Sequence, residues 1–272
     1  MEPSEIDQLY ARRTELSTAD WAAAAGPVEE GLAQLDAGKL RAAHPSDGDW
    51  VVDARVQKLI LLSFRTRHNV LIDPGPGLPR GFDKMALKFD NWTHNDFDSA
   101  RLRVVPGAVV RHGAYLGPDV VLMPSFVNIG AYIGAATMID TWATVGSCAQ
   151  VGARCHISGG AGLGGVLEPI GQTPVIIEDD VFVGARSEIA EGVRVRRGAV
   201  IGMGVYLTAS TPILDRVHGR IYRGEVPQNA VVVSGGRPDP TGDGPTLYSA
   251  VIVKYADEQT RAKTTLNDLA RY

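Results

Sequence analysis

The stretch Val127 to Ile157, VNIGAYIGAATMIDTWATVGSCAQVGARCHI, carries an aliphatic residue at every sixth position: Val127, Ile133, Ile139, Val145, Val151 and Ile157. A second run keeps the same step through Ile177, Val183, Ile189, Val195, Ile201 and Leu207. Four residues after these comes a short or β-branched side chain: Ala131, Thr137, Ala143, Ala149, Cys155 and Ala161 in the first run, and Val181, Ser187, Val193, Ala199 and Val205 in the second. A helix, repeating every 3.6 residues, cannot keep a six-residue step on one side. A hexad with one large and one small inward position builds a parallel β-helix, whose coils bury their apolar sides only against neighbouring coils. Glycine directly after the aliphatic residue, as in Ile133-Gly134, Val145-Gly146, Val151-Gly152, Val183-Gly184 and Ile201-Gly202, suits sharp corners where a side chain would be strained. The expected fold is therefore mainly β: a triangular prism over residues 103–235, left-handed by analogy with known hexapeptide-repeat proteins.

Working outward, residues 1–102 read as an N-terminal helical domain with a connecting segment. Ile6, Leu9, Tyr10 and Arg13, then Val28, Leu32 and Leu35, then Val52, Val56, Leu59 and Ile60 recur at three- and four-residue spacing. Asp36-Ala37-Gly38 marks a helix end, and the Pro- and Gly-rich run from Pro74 to Pro79 marks a loop. In residues 236–272, Thr246 to Tyr255 alternates like a strand, and Thr264 to Asp268 resembles the capped start of a terminal helix. The rhythm breaks twice, near 159–176 and 208–225. The first break, beginning Gly159-Gly160-Ala161-Gly162, is too glycine-rich for a buried strand; it reads as a flexible excursion or as backbone that an extended ligand arm can approach closely. It lacks the strand-to-helix context of a nucleotide fingerprint. The second carries Asp215, Arg216, His218, Arg220, Tyr222 and Arg223 and reads as a polar arm able to cover a neighbouring subunit.

Composition narrows the function classes. The 272 residues can bury a sizeable core, and a net charge of -4 gives no general electrostatic reason to expect nucleic acid or an anionic membrane. The acidic start, with Glu2, Glu5 and Asp7, has no apolar run of the kind a signal peptide or membrane anchor needs. Two cysteines, Cys148 and Cys155, make no disulfide framework, so a reduced, cytoplasmic, soluble protein is expected. No metal-ligand spacing is present.

Several strings exceed what the repeat demands: Val121 to Ile133, Met138 to Gln150, Ser158 to Pro169 and Gly184-Ala-Arg-Ser-Glu188, with Arg103-Val-Val-Pro106, Ser210-Thr211, Val231 to Gly235 and Leu247 to Lys254. In these the chain closely resembles the tetrahydrodipicolinate N-succinyltransferase family of the lysine and diaminopimelate pathway. The resemblance implies transfer of a succinyl group from succinyl-CoA to the amine of 2-amino-6-oxopimelate in a cyclic homotrimer, with sites at subunit boundaries. Such chemistry needs a group to take the amine's proton and a donor for the thioester oxyanion.

Asp140 stands after Ile139, where the hexad usually has glycine or another small corner residue, and so should point outward. A corner aspartate is ordinarily just solvated; within Met138-Ile-Asp-Thr-Trp142 it is the expected general base. Glu188, expected about three coils further along, is the second catalytic acid or base, placed by the resemblance across a subunit boundary. Arg103, Arg186 and Trp142 join Asp140 as expected substrate-binding residues, since a guanidinium fork suits the acceptor's carboxylates. For the CoA arm the expectation is Gly165, Ala185 and Gly204, small residues stacked on successive coils, with Lys254 near a phosphate. A histidine base would point to His112 or His156, both ordinarily surface residues. A covalent cysteine route is disfavoured, because Cys155 is an inward position and Cys148 has no evident base. Two other readings remain. A paralogue could use acetyl-CoA or another acyl-CoA on a related amino acid, as in β-lactam phytotoxin biosynthesis. A noncatalytic scaffold would not need Asp140, Arg103 and Glu188 together.

Overall fold

A computed structural model of the chain describes residues 3–72, 80–239 and 241–257. The expected terminal helix at Thr264 and the loop from Pro74 to Pro79 lie outside these residues.

The hexads form a left-handed parallel β-helix. Each coil lays two-residue strands on three faces in turn. The first coil places Arg103–Val104 on face one, Val109–Val110 on face two and Tyr115–Leu116 on face three. Face one continues upward through Val121–Leu122, Met138–Ile139, His156–Ile157, Phe182–Val183 and Val200–Ile201. Face two continues through Phe126–Val127, Thr144–Val145, Gly162–Leu163, Glu188–Ile189 and Tyr206–Leu207. All these neighbours pair in parallel, so residues in equivalent hexad positions stack in columns. The predicted large inward residues fill one core, with Ile133, Ile139, Val145, Val151 and Ile157 fully buried. The small inward positions are buried as well, and the two polar ones are satisfied. Thr137 donates to Gly152 O at 2.8 Å and accepts from Cys155 N at 3.0 Å, while Ser187 donates to Gly202 O at 2.8 Å. Hydroxyls are tolerated inside because each bridges to the coil above.

Helices α1 (Pro3–Ala11), α2 (Thr18–Asp36) and α3 (Ala54–Thr66) form the cap. Ser17 and Asp20 close a reciprocal capping box that starts α2. Val28, Leu32 and Leu35 of α2 meet Val56, Leu59 and Ile60 of α3 in a second core, which also takes in Ile129 and Cys148 from the edge between faces two and three. The cap is thereby fastened to that edge. Val52, expected to be helical, instead ends a strand, Asp49–Val52, and α3 starts after Asp53, whose side chain accepts from Arg55 N. A short helix, α4 (His94–Ala100), leads into the first coil.

Both breaks in the rhythm differ from expectation. The glycine run does not leave the prism at once: Gly162–Leu163 is a buried strand of face two, and the excursion spans 164–175. That excursion is held on the cap, with Val166 and Leu167 against the second core and Gly171 N donating to Gln57 of α3. The later insertion does not project as a free arm. Ile213–Asp215 and Arg220–Tyr222 form a hairpin, and Ile213–Asp215 pairs with Leu247–Tyr255, itself antiparallel to Ala230–Arg237. Asp215 is buried and accepts from His218 Nδ1 at 2.8 Å and Tyr255 Oη at 2.9 Å, tying the hairpin to its own sheet.

Candidate active site

The edge between faces one and two collects most of the expected residues. Asp140 opens the turn there; its N–H donates to Ile157 O and its carbonyl accepts from Ala143 N, so the backbone is clamped by the coil above and by its own turn. Thr141 N and Thr141 Oγ1 donate to Asp140 Oδ1 at 2.6 and 3.2 Å. Oδ2 faces His156, whose Nε2 lies 3.7 Å away. Trp142 turns the corner with φ 60° and stands 70% exposed.

Above Asp140 the same edge stacks Ser158-Gly159-Gly160, then Gly184-Ala185-Arg186, then Gly202-Met203-Gly204, joined by Gly160 N to Thr141 O, Arg186 N to Gly159 O and Gly204 N to Ala185 O at 2.8, 3.1 and 3.0 Å. The coil between Asp140 and Glu188 is stripped to glycine, and this decides where two long side chains lie. A methyl group on Gly160 would come within 2.8 Å of Arg186 Cδ, and one on Gly162 would overlap the Glu188 carboxyl. Arg186 and Glu188 therefore bend down over Gly160 and Gly162 toward the Asp140 coil. Glu188 stands two strands from Thr144 on face two rather than the expected three coils. Partial burial over Gly162 pushes its carboxyl above its ordinary value.

Arg103 is exposed in the outward column of face one, two strands below Met138. At about 4.8 Å per strand that is about 10 Å along the prism, from the side opposite Glu188. Ala185 and Gly204 do stack on this edge, but Gly165 does not join them. It follows Leu163 on face two and packs against Ser147 at the edge between faces two and three, because its hexad phase differs. Lys254 pairs with Val231 near the top of face one, with Asp257 3.9 Å away. His112 is not at this edge; its ring lies between Glu29 and Asp36 of the cap. Burial pushes the thiols of Cys148 and Cys155 up to about 12, so neither is a nucleophile near neutral pH. Among the described residues no group of three or more His, Cys, Asp or Glu is placed to hold a metal.

Residue reasoning missed the proximity of His156 to Asp140 and the use made of Gly160 and Gly162. The signal was present: His156 is eighteen residues after Met138, one full coil in an uninterrupted stretch, and so stacks directly on it. A separate groove of about 870 Å³ between face three and the hairpin Ala43–Ser46 and Asp49–Val52 contains none of the expected residues. Arg196 pairs there with Glu178 and Glu225, and Arg41 donates to Gln150 and lies over the Tyr132 ring.

A hexapeptide prism with an aspartate at the turn of one edge, and an arginine bent down over the glycine-rich coil above it, is the frame of a hexapeptide-repeat acyltransferase. Residues 3–66 match the family model "Tetrahydrodipicolinate N-succinyltransferase N-terminal", and residues 174–209 match "Hexapeptide repeat of succinyl-transferase". The chain is 52% identical over 270 residues to a 2,3,4,5-tetrahydropyridine-2,6-dicarboxylate N-succinyltransferase of Methylorubrum extorquens, covering 98% of this chain and 96% of that one. It is 57% identical over 249 residues to the protein of the same name in Paramagnetospirillum magneticum, covering 90% and 89%. A solved structure from Campylobacter jejuni, described as a 2,3,4,5-tetrahydropyridine-2-carboxylate N-succinyltransferase, superposes with a TM-score of 0.55 at 18% identity over 84% of this chain and 62% of that one, a likeness of fold. The chain belongs to the 2,3,4,5-tetrahydropyridine-2,6-dicarboxylate N-succinyltransferase family.

Proposed function

We propose that this protein transfers the succinyl group of succinyl-CoA to the amine of L-2-amino-6-oxopimelate, the opened form of tetrahydrodipicolinate, by direct attack in a ternary complex. The acceptor is an ammonium ion at neutral pH, and each unit of its pKa above ambient costs about 1.4 kcal/mol in available nucleophile. Asp140 takes that proton. The freed nitrogen attacks the thioester carbonyl, backbone N–H groups on the glycine-rich edge hold the oxyanion, and collapse breaks the carbon–sulfur bond. The CoA thiolate leaves and takes up a proton, giving the amide and free CoA.

Arg103 and Arg186 hold the acceptor's carboxylates, Trp142 packs beside it, and Glu188 anchors the amine or serves as a second acid or base. The pantetheine arm follows the edge at Ala185 and Gly204, with Lys254 as an outlying contact. The protein acts as a homotrimer in the cytoplasm, each site lying between two subunits. Among the described residues no helix is long and apolar enough to cross a membrane. The observation that carries this reading is a single edge that holds Asp140 and, on the coil above it, the glycine-stripped turn over which Arg186 bends.

Initial rates with succinyl-CoA and acetyl-CoA on 2-aminopimelate test the donor, with succinyl-CoA expected to have the higher kcat/KM. A preference for acetyl-CoA moves the protein to the paralogue reading. Failure of calorimetry to detect binding of any acyl-CoA leaves only a scaffold. Asp140→Asn is expected to lose about 10²- to 10⁴-fold in kcat with CoA binding and assembly intact; near-normal turnover removes the aspartate from the mechanism.

A further inference from the structure

His156 is a neighbour of Asp140 that neither the repeat nor the proposed chemistry uses. It occupies the outward position of face one directly above Met138, with Phe182 above it in the same column. The Phe182 ring packs edge-on against the imidazole, centroids 5.1 Å apart and planes at 71°. Nε2 is buried and has no hydrogen-bond partner among the described residues, yet it points to within 3.7 Å of Asp140 Oδ2. The other carboxylate oxygen, Oδ1, is already taken by Thr141 N and Thr141 Oγ1. An unpartnered buried nitrogen thus faces the carboxylate oxygen of Asp140 that has no donor of its own among the described residues, at a distance that a small rotation closes. Hydrogen bonds of this kind are often long without substrate and tighten in the reacting complex.

We propose that His156 is a positioning residue for Asp140: with its proton on Nε2 it donates to Oδ2, orients the carboxylate toward the acceptor amine, and leaves a second lone pair of that oxygen to receive the amine's proton. The inference rests on the reading of Asp140 as the base. The imidazole suits the task because it is neutral near pH 7. Burial lowers its pKa from 6.5, and this outweighs the upward pull of the Asp140 carboxylate. Met138 and Phe182, packed on either side, carry no charge, and Arg154 at the far edge is paired with Asp179 and Asp180. Arg103 stands three strands below in the same column, and Lys254 lies near the top of the face, beyond Phe182 and Val200. A neutral ring that donates from Nε2 favours the ionised carboxylate, as a base awaiting a proton requires.

The test uses the full-length chain with succinyl-CoA and 2-aminopimelate, comparing the parent with His156→Gln, His156→Phe, Asp140→Asn and the Asp140→Asn/His156→Gln double variant. Loss of the donor in His156→Phe is expected to lower kcat by about 10- to 100-fold, the range for groups that orient a ligand from one step away, with KM for succinyl-CoA unchanged. The acidic arm of the kcat/KM profile should move to higher pH, since removing an N–H donor favours the protonated carboxyl. His156→Gln keeps an amide N–H and should retain more of the rate and a profile closer to the parent's. In the Asp140→Asn background the glutamine substitution should cost nothing further. An unmoved acidic arm, equal losses in both single variants, or losses that multiply in the double variant overturn the proposal. Should His156→Phe fail to fold, His156→Ala removes the same donor without adding bulk, and its rate, its acidic arm and its double variant with Asp140→Asn carry the same expectations. Near-normal turnover in Asp140→Asn instead overturns the base reading itself, whatever His156 does.

Discussion

At the scale of single residues, the site depends as much on what is missing as on what is present. Gly162 lies between inward Ala161 and Leu163, and its φ does not call for glycine. What calls for it is Glu188, whose carboxyl occupies the space a Cβ would fill. Gly162→Ala should therefore displace the far end of a flexible side chain and leave the fold intact, with thermal unfolding close to the parent's. Its kcat should fall about as far as in Glu188→Gln, and the two substitutions should be strongly non-additive in a double-mutant cycle. Full activity in Gly162→Ala would show that the Glu188 carboxyl is not needed where it now rests. The reading of Asp140 as an outward corner carboxylate followed from its hexad position and agrees with the structure. The cradle under Glu188 could not be read in the same way, because a glycine in a glycine-rich run signals a loop equally well, and only stacking shows which side chain lies above it.

At the scale of elements, the six-residue step identified every coil strand from Val127 to Ile157, because one repeating pair of inward positions dictates both face and register. It failed where the pair was concealed. Gly162–Leu163 reads as an excursion because glycine hides an outward position, and the hairpin after Leu207 reads as a free arm because its partner strand lies some forty residues on, beyond local pattern. The inward hydroxyls were read only as small residues, but they bridge coils. Thr137 fills a lone pair on Gly152 O and satisfies Cys155 N, so Thr137→Val keeps the shape and orphans both groups. A loss of about 1–3 kcal/mol in unfolding free energy is expected, measured by urea denaturation, with Thr137→Ser losing less. A Thr137→Val protein as stable as the parent would mean that packing alone holds the coils.

At the scale of the whole molecule, a single prism presents an unfinished surface. Trp142 at 70% and Met203 at 74% exposure stand on the edge that carries Asp140, and Tyr206, 53% exposed, stands on the face that carries Glu188. The cap and the 164–175 excursion are gathered on a different edge, and among the described residues only Tyr248, whose ring packs edge-on against Tyr206, reaches over this region. A second and third copy would cover them and close the site between subunits, which gives the proposed trimer a kinetic signature. If Asp140 of one subunit works with Glu188 of the next, Asp140→Asn and Glu188→Gln proteins, each inactive, should regain activity when unfolded together and reassembled in equal amounts. In a randomly mixed ring, one boundary in about four pairs an intact aspartate with an intact glutamate, so about one quarter of the parent's rate is expected. A site contained within one chain would give no recovery, since every subunit in the mixture then lacks one of the two carboxylates.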